Sequence, residues 1–362
     1  MPDDHLAGVR CMVMRGGTSK GLYLARDDLP TDPAHRDDLL LRLMGSPDDR
    51  QIDGLGGGHP LTSKVAIVAP AADGDADVEY LFLQLGVEQA LVTDRQNCGN
   101  LLAGVGPFAM ERGWIRSDGD TASVRIRMMN SGGIAVARFP TADGLPRYDG
   151  DTAISGTPGT AAAISLSFRD IAGGSCGALL PTGNAQDTLA GVPVTCVDNG
   201  MPVVTIRATD LGIDGAESCQ ELEENGQLRQ TLERIRAEAG PAMRLGDVTQ
   251  TTVPKLTIVS PPRGDGHVTT RTFIPHRCHT SIGVLGAVSV ATACLLPGSV
   301  GSDVLRPGDD PSLVTLEHPT GPFTAAVTVT TGPDGGPTIE EAGIIRTARK
   351  LMDGAAFPRP ER

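Results

Sequence analysis

Three anchors recur in the same order in the two halves of this 362-residue chain, and no other feature constrains its fold as much. Val9-Arg10-Cys11-Met12-Val13 enters the polar loop Arg15-Gly16-Gly17-Thr18-Ser19, leaves through Leu22-Tyr23-Leu24 and reaches Asp27-Asp28-Leu29. Val194-Thr195-Cys196-Val197 likewise enters Asp198-Asn199-Gly200, leaves through Val203-Val204-Thr205-Ile206 and reaches Thr209-Asp210-Leu211. A helical pattern follows each, Pro33 to Met44 and Glu217 to Ala239. Next, Lys64-Val65-Ala66-Ile67-Val68 matches Lys255-Leu256-Thr257-Ile258-Val259. Finally Asn97-Cys98-Gly99-Asn100 and Arg277-Cys278-His279-Thr280 each open an apolar segment. The offsets between the paired Cys11, Lys64 and Cys98 anchors are 185, 191 and 180 residues. The chain therefore reads as one domain duplicated.

The apolar segments, Leu101 to Met110 and Ile282 to Leu296, are apolar on nearly every face, so each must be buried all round. Around them lie short strands with period-two alternation, such as Val124 to Met128 and Val327 to Thr330. Turn signals separate the strands at Asp73-Gly74, Asp143-Gly144 and Asp334-Gly335. The expected class is α+β: two pseudo-symmetric domains, each a curved, mostly antiparallel sheet around a central buried helix. The domains are expected at residues 1–188 and 189–337, with a tail, 338–362, that returns to the first.

Composition narrows the function. A formal charge of −13 repels phosphate backbones and anionic lipid, which argues against nucleic-acid and membrane partners. Seven scattered cysteines form no C-x-x-C pair. The start, with Asp3 and Asp4 and no apolar run behind them, does not read as a secretory signal. The expectation is reduced thiols in a cytoplasmic protein. The run from Ser281 to Leu296 is too short and too polar to span a bilayer. Of 31 basic residues, the lysines are Lys20, Lys64, Lys255 and Lys350, and lysine can lose its proton where arginine effectively cannot.

Those features select candidate residues. Cys98 stands at a helix start, where free amides and the macrodipole favour a thiolate or a substrate carboxylate; a small buried cysteine is the plain alternative. Lys64, after Thr62-Ser63, enters a buried strand and is either a general base or an edge-strand lysine. Lys255 is its repeat partner, and one of the two should be structural. The loop from Arg15 to Lys20 is either an anion site or an exposed turn. It lacks the Gly-Lys-Ser/Thr ending of a P-loop, and Gly54 to His59 puts histidine where a dinucleotide fingerprint needs glycine. His276-Arg277-Cys278-His279 crowds its ligands into one turn, so no metal is expected there.

Several stretches carry a family resemblance over essentially the whole chain. Met14 to Gly21, Gln51-Ile52-Asp53-Gly54, Leu61 to Ala66, Gln96-Asn97-Cys98-Gly99-Asn100, Leu180-Pro181-Thr182-Gly183-Asn184 and Arg346-Thr347-Ala348-Arg349 resemble the methylaconitate isomerase family. Ile274 to His279 and Asp198 to Val204 look most like a branch that serves aromatic-acid degradation. The resemblance implies a diaminopimelate epimerase-like fold with the active site between two domains. It implies a 1,3-allylic isomerase without cofactor, acting on a small polycarboxylate, in which Lys64 is the base and Cys98 the proton donor or relay; a methylaconitate or aconitate cis–trans isomerase and a non-catalytic carboxylate-binding protein are the alternatives. Carboxylate-binding roles then fall on Arg15, Thr18, Ser19, Ser63, Gly99, Asn100, Arg271, Cys278, His279 and Thr280. Arg15, Lys64, Arg95, Arg271 and Arg277 are the cations expected near substrate. A homodimer is the expected assembly. His279-Thr280-Ser281 stands where a two-cysteine racemase has a glycine-bearing turn, which argues against racemase chemistry.

Overall fold

The computed structural model describes residues 8–94, 97–333 and 335–360. The chain divides into two compact units, Met1–Leu166 with Ile345–Arg362, and Ser167–Ile344. In the first, β1 (Val9–Gly16) and β2 (Ser19–Ala25) form a hairpin, and α1 (Pro33–Met44) leads to β3 (Lys64–Pro70), parallel to β2. The helix starts where Asp32 caps the amide of Ala34 ahead of Pro33, and stops at Gly45 in the left-handed region. β4 (Val78–Leu85) runs antiparallel to β3 and takes β5 (Val92–Thr93) antiparallel at one end. β6 (Thr121–Met128) pairs parallel with its other end, followed by antiparallel β7 (Ile134–Ala142) and β8 (Leu145–Pro146). Asp143 and Gly144, both at positive φ, make the two-residue turn between β7 and β8.

This sheet holds α2 (Gly99–Glu111), which packs against β1, β2, β3, β4, β6, β7 and β8. Every residue from Leu101 to Met110 is buried, as the all-round apolar pattern demands. Two glycines permit the close approach: a Cβ on Gly104 would meet the Tyr23 hydroxyl at 2.5 Å, and one on Gly106 the Phe139 ring at 2.6 Å. Tyr23 also donates from Oη to the Leu101 carbonyl at 2.6 Å, fixing the first turn of the helix to β2.

β9 (Ile164–Phe168) carries the chain into the second unit. There β10 (Asp187–Leu189), β11 (Val192–Asp198) and β12 (Pro202–Arg207) are successively antiparallel. After α3 (Cys219–Glu224) and α4 (Gly226–Ala242), β13 (Lys255–Ser260) runs parallel to β12 and antiparallel to β14 (Val268–Ile274). β14 takes β15 (Arg277–Cys278) antiparallel and β16 (Leu313–His318) parallel, and β17 (Gly321–Thr331) folds back on β16. The central helix α5 (Val284–Leu295), buried from Gly286 to Cys294, packs against β11, β12, β16 and β17. β18 (Pro337–Arg346) pairs with β17, and β19 (Ala348–Ala356) pairs with β1 of the first unit. The order and sense of pairing from β1 to β7 is repeated from β11 to β17. The three sequence anchors thus mark a duplicated topology.

Two expectations are corrected. The division between units falls at 166/167 rather than 188/189, because residues 167–188 are tied to β11. Asp198 accepts from the Ser175 and Cys176 amides at 2.8 Å each, and Cys176 joins the apolar cluster around Cys196. The helical pattern from Glu217 to Ala239 is two helices, because Asn225 is extended and caps α4 through the Leu228 amide. Asp334, part of one expected turn, lies outside the described residues. Among the described residues no helix is long and apolar enough to cross a membrane.

Glu317 on β16 gives the second unit an acid-sensitive clasp. Its carboxylate accepts from the amides of Arg263 (2.8 Å), Gly264 (2.8 Å) and Gly266 (2.9 Å) and from the Thr269 hydroxyl (2.7 Å). Burial pushes this carboxyl up, but the four donors outweigh burial and hold it at about 2, below the ordinary value of about 4.3. A depressed carboxyl stabilises the fold above the unfolded-state value and loses that contribution as pH falls through the folded one. Glu317→Gln is expected to lower the melting temperature by about 3–6 °C at pH 7. The gap from wild type should close as pH falls from about 4 toward 2. Differential scanning calorimetry across that range checks both.

Candidate active site

The β1–β2 hairpin is clamped onto the start of α2. Asn100 donates from Nδ2 to Thr18 Oγ1 (3.0 Å) and Ser19 Oγ (3.4 Å). Above this pair a Cβ on Gly16 would lie 2.3 Å from the Asn100 carbonyl oxygen, and one on Gly17, at φ 51°, 2.2 Å from its Oδ1. Arg15 braces the same loop from below, donating from Nη1 to Gly17 O (3.0 Å), Thr347 O (3.2 Å) and Thr347 Oγ1 (2.9 Å). Burial, then the neighbouring Arg349, lowers the Arg15 guanidinium from its ordinary value. Thr18, Ser19, Gly99 and Asn100 therefore converge at the positive end of α2, where first-turn amides lack intrahelical partners.

Cys98 is the N-cap residue of α2 and makes no side-chain capping bond; it is half-buried. Tyr80 donates to its carbonyl at 3.3 Å. Burial, then Cys98, holds the Tyr23 and Tyr80 phenols well above their ordinary values. Burial likewise lowers Arg346 to about 10, with Cys98 acting in the opposite sense. Two of the chain's three tyrosines and a buried arginine thus lie within electrostatic reach of Cys98.

Lys64 opens β3 and is only 7% exposed. Gly21 stands opposite it on β2, and there a Cβ would meet the Lys64 carbonyl at 2.5 Å and Leu101 at 2.9 Å. Only a residue without a side chain lets β2, β3 and the first turn of α2 approach so closely. The amine lies 5.0 Å from the Phe82 ring centroid and donates to Gln84 Oε1 at 2.5 Å. Among the described residues no carboxylate pairs with it. Tyr80, Phe82 and Gln84 alternate onto one face of β4. That single face touches the cysteine at one end and the lysine at the other.

Other expected site residues have structural partners. Ser63 is fully buried, with its hydroxyl on Gln51 Oε1 (2.7 Å) and His59 O (2.9 Å). Gln51 also bonds Ser46 and Gly58, so the Gln51 to Gly54 motif is a loop hub. In the second unit, Arg271 donates to the carbonyls of Glu217, Thr270 and Ala216. Arg277 is exposed and paired with Glu223 at 2.9 Å. Cys278 does not open the central helix: it ends β15 opposite Phe273, and the helix begins after Gly283. Burial raises its thiol above the ordinary value, and its amide bonds Glu223 at 2.9 Å. His279 donates its amide to Thr272 O and accepts on Nδ1 from the Ser281 amide, while the Thr280 carbonyl accepts from Thr320. Lys255, the repeat partner of Lys64, has its ammonium lowered by burial and carries no equivalent of the Gln84 bond among the described residues. Arg95 lies outside the described residues. Among them, no group of three or more His, Cys, Asp or Glu is arranged to hold a metal.

Residues 7–358 match the PrpF protein family. The chain belongs to that family. It is 55% identical over 347 residues to 4-oxalomesaconate tautomerase of Pseudomonas putida, covering 96% of this chain and 95% of that one. It is 54% identical over 356 residues to (4E)-oxalomesaconate Delta-isomerase of a Novosphingobium species, covering 98% and 99%. The crystal structure of methylitaconate-delta-isomerase superposes with a TM-score of 0.87 at 34% identity, covering 97% of this chain and 96% of that one. This PrpF protein is an isomerase, and its fold is of the expected diaminopimelate epimerase-like class. Sequence reading passed over Tyr80, Phe82 and Gln84. The scarcity of tyrosine was a usable signal for the first, whereas the other two emerge only from strand register.

Proposed function

We propose that the chain is a cofactor-independent 1,3-allylic isomerase of 4-oxalomesaconate, acting downstream of aromatic ring cleavage. The observation that carries this reading is the buried Lys64 amine, held by a neutral amide and an aromatic face on the β4 surface that also reaches Cys98. An amine in that setting is placed to take a carbon-bound proton, with no carboxylate paired to it among the described residues. The two oxalomesaconate isomerases that the chain resembles over almost its full length support the substrate.

The reaction balances within the substrate. Lys64 Nζ removes a proton from the methylene flanked by a ketone and an alkene. The electron pair spreads over the ketone and the alkene as a dienolate. Cys98 Sγ–H returns a proton to the alkene carbon two positions away, so the double bond moves and no electrons leave the substrate. Transfer of the Lys64 proton to the Cys98 thiolate through solvent restores both groups. Thr18, Ser19, Asn100 and the Gly99 amide are assigned to substrate carboxylates, at the helix end that favours anions.

Purified protein offered 4-oxalomesaconate and 2-methylaconitate separately, with the ultraviolet band of each followed, checks the substrate. Oxalomesaconate is expected to turn over at least about 10-fold faster, since a site fitted to one polar substituent discriminates at least that well. Turnover of methylaconitate with oxalomesaconate left unchanged would overturn the assignment.

A further inference from the structure

We propose that Gln84 is a positioning residue for proton transfer: its oxygen aims the Lys64 amine, and its lack of charge keeps a carboxylate from pairing with that amine. The inference rests on the reading of Lys64 as the base. Strand register sets the two residues directly opposite each other on β3 and β4, where side chains on one face meet. Gln84 Nε2 lies within bonding distance of three carbonyls, Pro60 (3.1 Å), Ser63 (3.0 Å) and Leu85 (3.2 Å). A nest of acceptors can face only the NH2 side of the amide, so Oε1 must face Lys64 Nζ, 2.5 Å away. Phe82, two residues earlier on that face, closes the other side of the amine. Asn130 in turn holds the Phe82 backbone through both of its amide groups, at 2.9 and 2.8 Å.

The surrounding charges leave this choice to Gln84. The elements packed against β3 carry Lys20 and Tyr23 on β2, Glu79 and Tyr80 on β4, and Cys98 and Glu111 at the ends of α2; His59 sits in the preceding turn. Glu79 is paired with Arg26, and Glu111 with Lys350, each at 2.7 Å. Tyr23 and Tyr80 donate to the Leu101 and Cys98 carbonyls, and His59 Nδ1 accepts from the Leu61 amide at 3.0 Å. The exposed turn Arg26–Asp28 lies at the far end of β3, next to the Ala25–Val68 pair. At position 84, glutamate has nearly the same shape as glutamine, yet it would pair with Lys64 and hold it as an ammonium.

The experiment measures pH–rate profiles for wild type, Gln84→Glu, Gln84→Met and Lys64→Met, each checked for native melting. Gln84→Glu is expected to lower kcat/KM at pH 7 by at least about 10-fold and to move the ascending limb up by at least about one pH unit. Gln84→Met removes the acceptor that favours the ammonium, so its limb should move down, with kcat reduced and KM nearly unchanged. A purely structural role would lower activity without moving the limb in opposite directions. Should Gln84→Glu fail to fold, the uncharged Gln84→Met still decides: a limb at or above the wild-type position contradicts the proposal. Unmoved limbs in both folded variants, with Lys64→Met inactive, overturn the role of Gln84 alone. An active Lys64→Met overturns the reading of Lys64 as the base, and the proposal with it.

Discussion

Lys64→Met is expected to cut kcat by at least about 10²–10⁴-fold, the usual contribution of a positioned general base, while the protein stays folded. Methionine has nearly the length and volume of the lysine it replaces, and at 7% exposure it would sit beside Phe82 in an apolar setting. The methyl group needs no partner, so Gln84 loses one bond and keeps its carbonyl contacts. Melting temperature should stay within a few degrees of wild type. Steady-state turnover of 4-oxalomesaconate together with a thermal melt separates the chemical loss from a folding defect. The corresponding change in the other repeat, Lys255→Met, should leave kcat within about twofold, since among the described residues no side-chain amide bonds its amine.

Gly16→Ala is expected to produce the second largest loss, although position 16 carries no reactive group. The new Cβ would lie 2.3 Å from the Asn100 carbonyl oxygen and 2.9 Å from the Tyr23 hydroxyl. The first is backbone and the second is bonded to the Leu101 carbonyl, so neither can swing aside. Relief requires the hairpin and the first turn of α2 to separate. Overpacking of this kind costs about 1–3 kcal/mol, and displacement of a catalytic element by about 1 Å can cost on the order of 10²-fold in rate. Both a lower melting temperature and a reduced kcat/KM should be measured. Gly74→Ala is the control: a Cβ there meets nothing within 4 Å, and its activity should match wild type.

The duplication was legible because it is written in patterns that single residues express: strand alternation, all-round apolar helices and repeated anchors. Lys64 and Cys98 stood out because lysine is scarce here and because Cys98 sits beside small residues at a helix start. The boundary between units was misplaced because nothing periodic announces that Asp198 collects the amides of Ser175 and Cys176. Cys278 was expected to mirror Cys98, yet its stretch folds back as β15, paired with β14 before the helix begins. Gln84 gave no sequence signal: one glutamine between leucines is ordinary, and only pairing across β3 and β4 gives it meaning. Local patterns thus described the scaffold and picked out the lysine and cysteine proposed to react, whereas the groups proposed to aim them depend on register.

Hydrogen exchange reads removal of the carbon-bound proton by Lys64 without relying on net turnover. 4-Oxalomesaconate in deuterium oxide, followed by proton NMR with wild type and with folded Lys64→Met, isolates it. Wild type is expected to exchange the methylene proton and Lys64→Met to leave it in place. Exchange by Lys64→Met at the wild-type rate would contradict the role of Lys64 as the base.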